Sequence, residues 1–225
     1  MRVIAFDAYG TLFDLGGVSS RCEYVWPGRG AALAELWRRK QIEYSWQRSL
    51  MDRYVSFAAV TREALEFACE HLTLPLDEQR AKAVANAYSE LEPFADARGA
   101  IAALRSAGHV LAVLTNGSPD MIEPLVTRSF GDAFYAIVSV HQARVFKPSP
   151  RAYNALLERL SVQPVDVTFV TSNAWDAAGA IEFGFRTLWV NRGGASFDRV
   201  GCPQPLTVTG LDGVAAIVDS EVRPS

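Results

Sequence analysis

Val3-Ile4-Ala5-Phe6-Asp7-Ala8-Tyr9-Gly10-Thr11-Leu12, near the start of the chain, is an apolar run that delivers a carboxylate into a Gly/Thr turn. It reads as a buried strand followed by a bend, which is where an open α/β sheet presents groups to a ligand crevice. A carboxylate placed there can serve as a covalent nucleophile. Tyr9 stands two residues after Asp7, so this turn carries no second acid that could help hold magnesium or protonate a leaving group, as phosphoryl transfer would want. Its presence points to chemistry at carbon.

Outward from this segment, residues 1–14 hold the strand and its turn, and from about residue 29 to residue 92 the pattern is helical with no good strand. From about Asp96 onward, strands and helices alternate. Residues 109–114, 135–140, 167–170 and 186–190 are short β-branched or aromatic runs. Helical stretches lie near 97–106, 121–127, 151–160 and 175–183, with Gly108 placed as the C′ residue of the first. This alternation predicts an α/β fold, a Rossmann-like parallel sheet with helices on both faces. An all-helical insertion separates the first strand from the rest. We expect a catalytic core of residues 1–14 and 96–225 and a helical cap of residues 15–95, with Trp26-Pro27-Gly28 and Glu92-Pro93 as punctuation near its ends. An insertion leaving from the Asp7 turn must sit over the crevice.

The whole chain narrows the possible classes. Its 225 residues suit one or two domains, and a hydrophobic content of 49% supports a packed core. A net charge of −3 leaves no basic footprint for nucleic acid. No apolar stretch approaches the roughly 20 residues that span a bilayer, so no membrane partner is expected. Without a signal-peptide pattern at its start, the sequence reads as cytoplasmic. Cys22, Cys69 and Cys202 are scattered, without CxxC spacing, and read as small core or surface residues in a reducing compartment. His71, His109 and His141 show no ligand spacing, so neither a metal nor another cofactor is expected.

Polar residues end the later strands. Thr115-Asn116-Gly117-Ser118-Pro119 and Thr171-Ser172-Asn173-Ala174-Trp175-Asp176 each read as turn and helix-start chemistry, or as crevice groups. Lys147-Pro148 is expected to open a helix, where the macrodipole disfavours a positive charge by some tenths of a kcal/mol. The position makes more sense if the ammonium answers Asp7 and Asp176. In the insertion, Leu33, Leu36, Trp37, Trp46, Leu50, Met51, Tyr54 and Val55 give a broad helical apolar face. Arg38 lies at its edge, either solvated or turned to the crevice.

A nucleophilic Asp, a Thr/Asn-Gly turn, a Lys and an acidic loop, in that chain order, resemble the haloacid dehalogenase superfamily over essentially the whole sequence. Three longer strings look like L-2-haloacid dehalogenases in particular. They are Leu36-Trp37-Arg38-Arg39-Lys40-Gln41-Ile42-Glu43-Tyr44-Ser45-Trp46, Arg53-Tyr54-Val55-Ser56-Phe57 and Ser172-Asn173-Ala174-Trp175-Asp176. The resemblance implies that Asp7 attacks C2 of a short L-2-haloacid to form an ester, which water opens to a D-2-hydroxyacid. Thr11 and the Thr115-Asn116 turn would orient Asp7 and the substrate carboxylate. Arg38, Asn116 and Phe57 match the positions that cradle the departing halide. Lys147 would pair with Asp7, with Tyr153 nearby, while Thr171, Asn173 and Asp176 match the group that positions or activates the hydrolytic water. Tyr9, Ile42, Phe57 and Trp175 would line an apolar pocket for the substrate side chain. Family members commonly form homodimers, so a homodimer is implied too.

The chemistry is consistent with these assignments. Halide leaves without a proton, so the second acid is not needed. Arg38 and Lys147 would offset two of the three negative charges carried by Asp7, Asp176 and substrate, in place of a metal. Thr171 stands where the family pattern has Ser, Arg39 where a Gln is common, and His141 where an acid is frequent. None of these removes a required group; they bear on substrate range and rate. Two other classes compete: a phosphatase or phosphonate-cleaving relative, and a non-catalytic carboxylate binder. A phosphonate hydrolase can lack the second Asp but would carry a cap lysine. Asp7, Arg38, Lys147, Asn173 and Asp176 together speak against loss of catalysis.

Overall fold

The computed structural model describes residues 2–220. Strand β1 (Val3–Phe6) is followed by four helices, α1 (Gly16–Val25), α2 (Gly30–Leu50), α3 (Phe57–His71) and α4 (Glu78–Ala85), and then by α5 (Ala97–Ser106). The alternating part continues with β2 (Val110–Thr115), α6 (Pro119–Phe130), β3 (Ala136–Ser139), α7 (Pro150–Leu160), β4 (Val167–Thr171), α8 (Ala174–Phe183), β5 (Arg186–Val190), β6 (Leu206–Val208) and α9 (Asp212–Ser220). The strands form one six-stranded sheet in the order β3-β2-β1-β4-β5-β6, every pair parallel.

This is the expected α/β architecture. β1 lies inside the sheet, with Val3 in register with Val110 on one side and Val167 on the other, and Ile4, Ala5 and Phe6 fully buried. The chain builds β2 and β3 on one flank and then crosses to build β4, β5 and β6 on the other. The reversal falls at β1, so the crevice at its carboxyl end, beside Asp7, is the topological switch point. On the faces of the sheet, α5 packs against α9 and α7 against α8. The end of α5 shows why Gly108 is there. Its φ is +81°, and the N–H groups of Gly108 and His109 return to the carbonyls of Arg105 and Leu104 at 2.9 and 3.2 Å. That is a Schellman C-cap with glycine at C′.

Helices α1 to α4 pack on one another above the core. The chain leaves and re-enters through a short antiparallel bridge between Phe13 and Pro93. Asp14 N–H donates to the Glu92 carbonyl and Phe94 N–H to the Leu12 carbonyl, each at 2.9 Å. The Arg192 guanidinium covers this seam, 3.8 Å from the centre of the Phe94 ring and bonded to Asp96 and Ser172.

Several expectations need correction. Helix α1 goes unread because it opens on two glycines with no capping side chain. β6 and α9 are also missed; β6 is a three-residue edge strand whose Leu206 is half exposed. α7 begins at Pro150 after Ser149 rather than at Lys147-Pro148, leaving Lys147 in the preceding loop. The apolar face of α2 does not run as read. Leu50 and Met51, at the helix end and its C-cap, are exposed, and Tyr54 and Val55 lie beyond it. The buried stripe passes instead from Leu33, Leu36 and Trp37 to Gln41 and Ser45. Among the described residues no helix is long and apolar enough to cross a membrane.

Candidate active site

The site is built where β1 ends. Asp7 continues the ladder by donating its N–H to the Val170 carbonyl at 2.9 Å, which turns its buried side chain into the crevice. Its Oδ1 accepts from Lys147 Nζ at 2.8 Å, and its Oδ2 from Thr11 Oγ1 at 3.0 Å and Asn173 Nδ2 at 2.8 Å. Thr11 Oγ1 itself accepts the Ser172 N–H at 2.8 Å, so the hydroxyl proton is left for Asp7. Asn173 occupies the N-cap of α8, yet its side chain makes no capping bond. Its amide goes to Asp7 and the Tyr9 carbonyl instead. Forgoing a cap costs about 1 kcal/mol of helix stability, and here the amide holds the Asp7 carboxylate.

Lys147 is fully buried. Nζ donates to Asp7 Oδ1, to Asp176 Oδ2 at 2.6 Å and to the Leu114 carbonyl at 3.1 Å, which uses all three of its hydrogens. Burial works against its charge, but Asp176 and Asp7 outweigh this and hold its pKa above the ordinary lysine value. Its N–H donates to Asn116 Oδ1 at 2.9 Å, leaving the amide nitrogen of Asn116 for the cavity that this residue lines. Asp176, also fully buried, takes Tyr153 Oη on its Oδ1 at 2.8 Å. Burial pushes the Asp176 pKa up to about 6; Lys147 pulls it down and Asp7 pushes it up further. Burial and the neighbouring Asp176 hold the Tyr153 hydroxyl well above its usual range.

Above these groups lies a small cavity of about 10 Å³, room for one water. Asp7, Lys147, Asn116 and Asn173 form its polar side. Tyr9, Ile42, Phe57 and Trp175 form its apolar walls, with Arg38 and Ser45 reaching in from α2. The Tyr9 ring stacks on Phe57 with centroids 6.1 Å apart and meets the edge of Tyr88 at 5.9 Å. Its hydroxyl is buried with no partner among the described residues. A Cβ on Gly117 would stand 2.9 Å from the Tyr9 ring, so glycine in the Asn-Gly turn is what lets the ring approach. Arg38 Nη1 donates to Gln41 Oε1 at 2.7 Å. Burial pushes the Tyr88 phenol up to about 12, against the pull of the Arg38 charge and a hydrogen bond from Gln41.

The helical insertion touches the core around this cavity. Trp46 meets Trp175 edge-on at 5.6 Å, Tyr54 Oη lies 3.0 Å from His141 Nδ1, and Ser49 Oγ accepts the Phe146 N–H at 3.0 Å.

The structure therefore places Asp7, Tyr9, Arg38, Ile42, Phe57, Asn116, Lys147, Asn173 and Trp175 around one space. Thr11 bonds Asp7 from behind, Asp176 lies behind Lys147, and Tyr153 behind Asp176. Thr115 and Thr171 do not line the cavity; their hydroxyls accept the N–H groups of Gly117 and Asn173, each at 3.1 Å, and so shape the two turns. Sequence reasoning missed Ser45, Gln41, Arg192 and the Leu114 carbonyl. The last has no side-chain signal, and the first two are polar residues outside the apolar face as read. Among the described residues no group of three or more His, Cys, Asp or Glu is placed to hold a metal ion.

The model of the haloacid dehalogenase-like hydrolases matches residues 1–184. The chain belongs to this family. Within it, the chain groups with the L-2-haloacid dehalogenases. It is 43% identical to an (S)-2-haloacid dehalogenase of Pseudomonas sp. strain YL, over 98% of this chain and 95% of the relative. It is 40% identical to haloacetate dehalogenase H-2 of Moraxella sp. strain B, over 97% and 98% of the two chains. Its fold superposes with a TM-score of 0.90 on the L-2-haloacid dehalogenase of Xanthobacter autotrophicus with chloropropionic acid covalently bound. That protein is 37% identical, and the match covers 97% of this chain and 98% of the other.

Proposed function

We propose that this chain is an (S)-2-haloacid dehalogenase, which hydrolyses short-chain L-2-haloacids to D-2-hydroxyacids through an aspartyl ester on Asp7 with inversion at C2. The observation that carries the reading is the Asp7–Lys147 pair at 2.8 Å beneath a cavity lined by Arg38 and Tyr9. Tyr9 stands where a phosphatase would carry its second acid, and Lys147 gives Asp7 the positive charge that magnesium would otherwise supply. A relative of the same fold with chloropropionic acid covalently bound supports the covalent route.

In the first step an Asp7 oxygen bonds to C2 from the side opposite the halogen. The carbon–halogen bond breaks, and halide departs with the electron pair towards Arg38, the Asn116 amide and Phe57. Lys147, Thr11 and Asn173 hold the carboxylate in place, so little reorganisation is needed as its charge is lost. In the second step water attacks the ester carbonyl carbon of Asp7. Asp176 is the proposed base, and a pKa near 6 suits that role at neutral pH. Both its oxygens are engaged, so it takes the proton when one contact is exchanged for water. The product alkoxide leaves with the proton that Asp176 took from water, the second water proton is lost to solvent, and Asp7 returns as a carboxylate that keeps a solvent oxygen. Thr115 and Thr171 act by holding the Asn116 and Asn173 turns in shape, and Tyr153 by orienting Asp176.

Tyr9, Ile42, Phe57 and Trp175 would contact the substrate side chain. The cavity as it stands is too small for any haloacid, so residues 15–95 would act as a cap that moves against the core of residues 1–14 and 96–225 to admit substrate. Family analogy supports a cytoplasmic homodimer.

The test is chloride release from L-2-chloropropionate against phosphate release from p-nitrophenyl phosphate, before and after dialysis with EDTA. We expect chloride only, unchanged by EDTA. Phosphate release, or a large loss restored by magnesium, would place the chain with the phosphatases.

A further inference from the structure

Gln41 is fully buried on α2, and both ends of its amide are committed. Arginine is a donor only, so the atom that meets Arg38 Nη1 at 2.7 Å must be Oε1. Nε2 then points at Thr61 Oγ1, also at 2.7 Å, and the threonine hydroxyl must accept. Thr61 consequently places its own proton on the Phe57 carbonyl at 2.7 Å. The polarity of this chain is fixed from end to end, from the Phe57 carbonyl through Thr61 and Gln41 to the guanidinium. Its two termini are residues whose side chains line the cavity. Trp37 Nε1 ties the same turn of α3 to α2 through the Thr61 carbonyl at 2.8 Å.

The acceptor facing Arg38 is an amide. A carboxylate in that place would bond the guanidinium more strongly and neutralise it. A neutral oxygen orients the guanidinium while leaving its positive charge uncompensated on the cavity side. Arg38 and Gln41 are three apart on one helix, so they share a face and the contact costs little to hold.

We infer that Gln41 is a positioning residue that aims Arg38 at the departing halide and, being neutral, preserves the charge that stabilises it. The inference rests on the proposed dehalogenase reading and deepens it. It assigns to Gln41 and Thr61 a part in halide recognition that neither plays by contact.

The experiment compares Gln41→Glu, Gln41→Met, Thr61→Val and Thr61→Ser with wild type and Arg38→Lys. Folding is checked by far-UV circular dichroism and cooperative melting. Bromide binding is read twice, as competitive product inhibition and as saturable quenching of tryptophan fluorescence, which needs no turnover. Gln41→Glu keeps the shape, sets a negative charge on Arg38 and turns the donor to Thr61 into an acceptor; we expect bromide affinity and kcat/KM each to fall at least about tenfold. Gln41→Met should lose less bromide affinity than Gln41→Glu, because it loosens the guanidinium without neutralising it. Thr61→Ser should behave as wild type and Thr61→Val should weaken bromide binding.

A purely structural role would lower the melting temperature of these variants and leave bromide affinity alone, and that result overturns the inference. If Gln41→Glu does not fold, the Thr61 pair decides, since equal bromide binding in Thr61→Val and Thr61→Ser also overturns it. Failure of the underlying reading looks different: Arg38→Lys would then keep wild-type bromide binding, or wild type would release no chloride.

Discussion

Lys147 Nζ lies 2.6 Å from Asp176 Oδ2, and neither side chain has any solvent exposure. The same nitrogen lies 2.8 Å from Asp7 Oδ1, so one ammonium holds two carboxylates apart and in place. Removing one partner of a buried ion pair leaves an uncompensated charge and costs about 3–5 kcal/mol. Lys147→Met should therefore abolish chloride release and lower stability by that order at pH 8 in urea unfolding. The deficit should shrink as pH falls towards 6 and be smallest below it, because Asp176, no longer pulled down by Lys147, takes up its proton at a higher pH in the variant than in the wild type. A variant with wild-type stability at pH 8 would show that the pair is not a net support of the fold.

Activity should depend on the ionisation of Asp176. Burial raises its pKa to about 6, and a general base works only when ionised. The sign follows: turnover falls as pH drops through about 6 and is level above it, since Lys147 is held charged well beyond that range. Asp176→Asn should still form the ester on Asp7 but fail to hydrolyse it, so intact-mass measurement should find the adduct. A level profile from pH 5 to 8, or an Asp176→Asn enzyme that turns over freely, would remove Asp176 from the base role.

Much of this was legible in the sequence, for identifiable reasons. β1 is apolar at four successive positions and ends at Asp7, and the loops after β2 and β4 carry polar runs that had no need to be so rich. Lys147 was legible because a charge before proline made poor sense for a helix start; its true place, in a loop pointing at Asp7, explains the oddity better than the expected geometry did. What stayed hidden depends on tertiary approach. Gln41 and Ser45 break the apolar periodicity of α2 because Ser45 lines the cavity and Gln41 bonds Arg38 and Thr61, and periodicity takes such polar residues as solvent-facing. Arg192 gives no local signal, since its partners Phe94, Asp96 and Ser172 meet it only where the helical insertion rejoins the core.

Arg38→Lys should be far worse than its charge suggests. One guanidinium nitrogen is bonded to Gln41 at 2.7 Å, and the planar group still presents other donors to the cavity. Ammonium is a compact, strongly hydrated charge on a flexible stem, and cannot hold Gln41 and face the halide with the same fixed geometry. We expect a loss of at least about tenfold in kcat/KM, roughly 1.4 kcal/mol of transition-state stabilisation. Steady-state kinetics near wild type would make Arg38 a bystander at the cavity wall.

The oxygen on the product should come first from Asp7 rather than directly from water. Thr11 and Asn173 both bond Oδ2, at 3.0 and 2.8 Å, and Lys147 bonds Oδ1, so the carboxylate is held rigidly at the cavity floor. Fixed in that way it can approach C2 from the side opposite the halogen, which inverts the centre and gives a D-2-hydroxyacid from an L-2-haloacid. Water then attacks the Asp7 carbonyl carbon, and the solvent oxygen stays on the enzyme. In a single turnover with excess enzyme in labelled water, the first product should carry unlabelled oxygen, and the peptide containing Asp7 should gain the label. Label found wholly in the first product would mean that water attacks carbon directly, with Asp7 as a general base, and the ester mechanism would have to be abandoned.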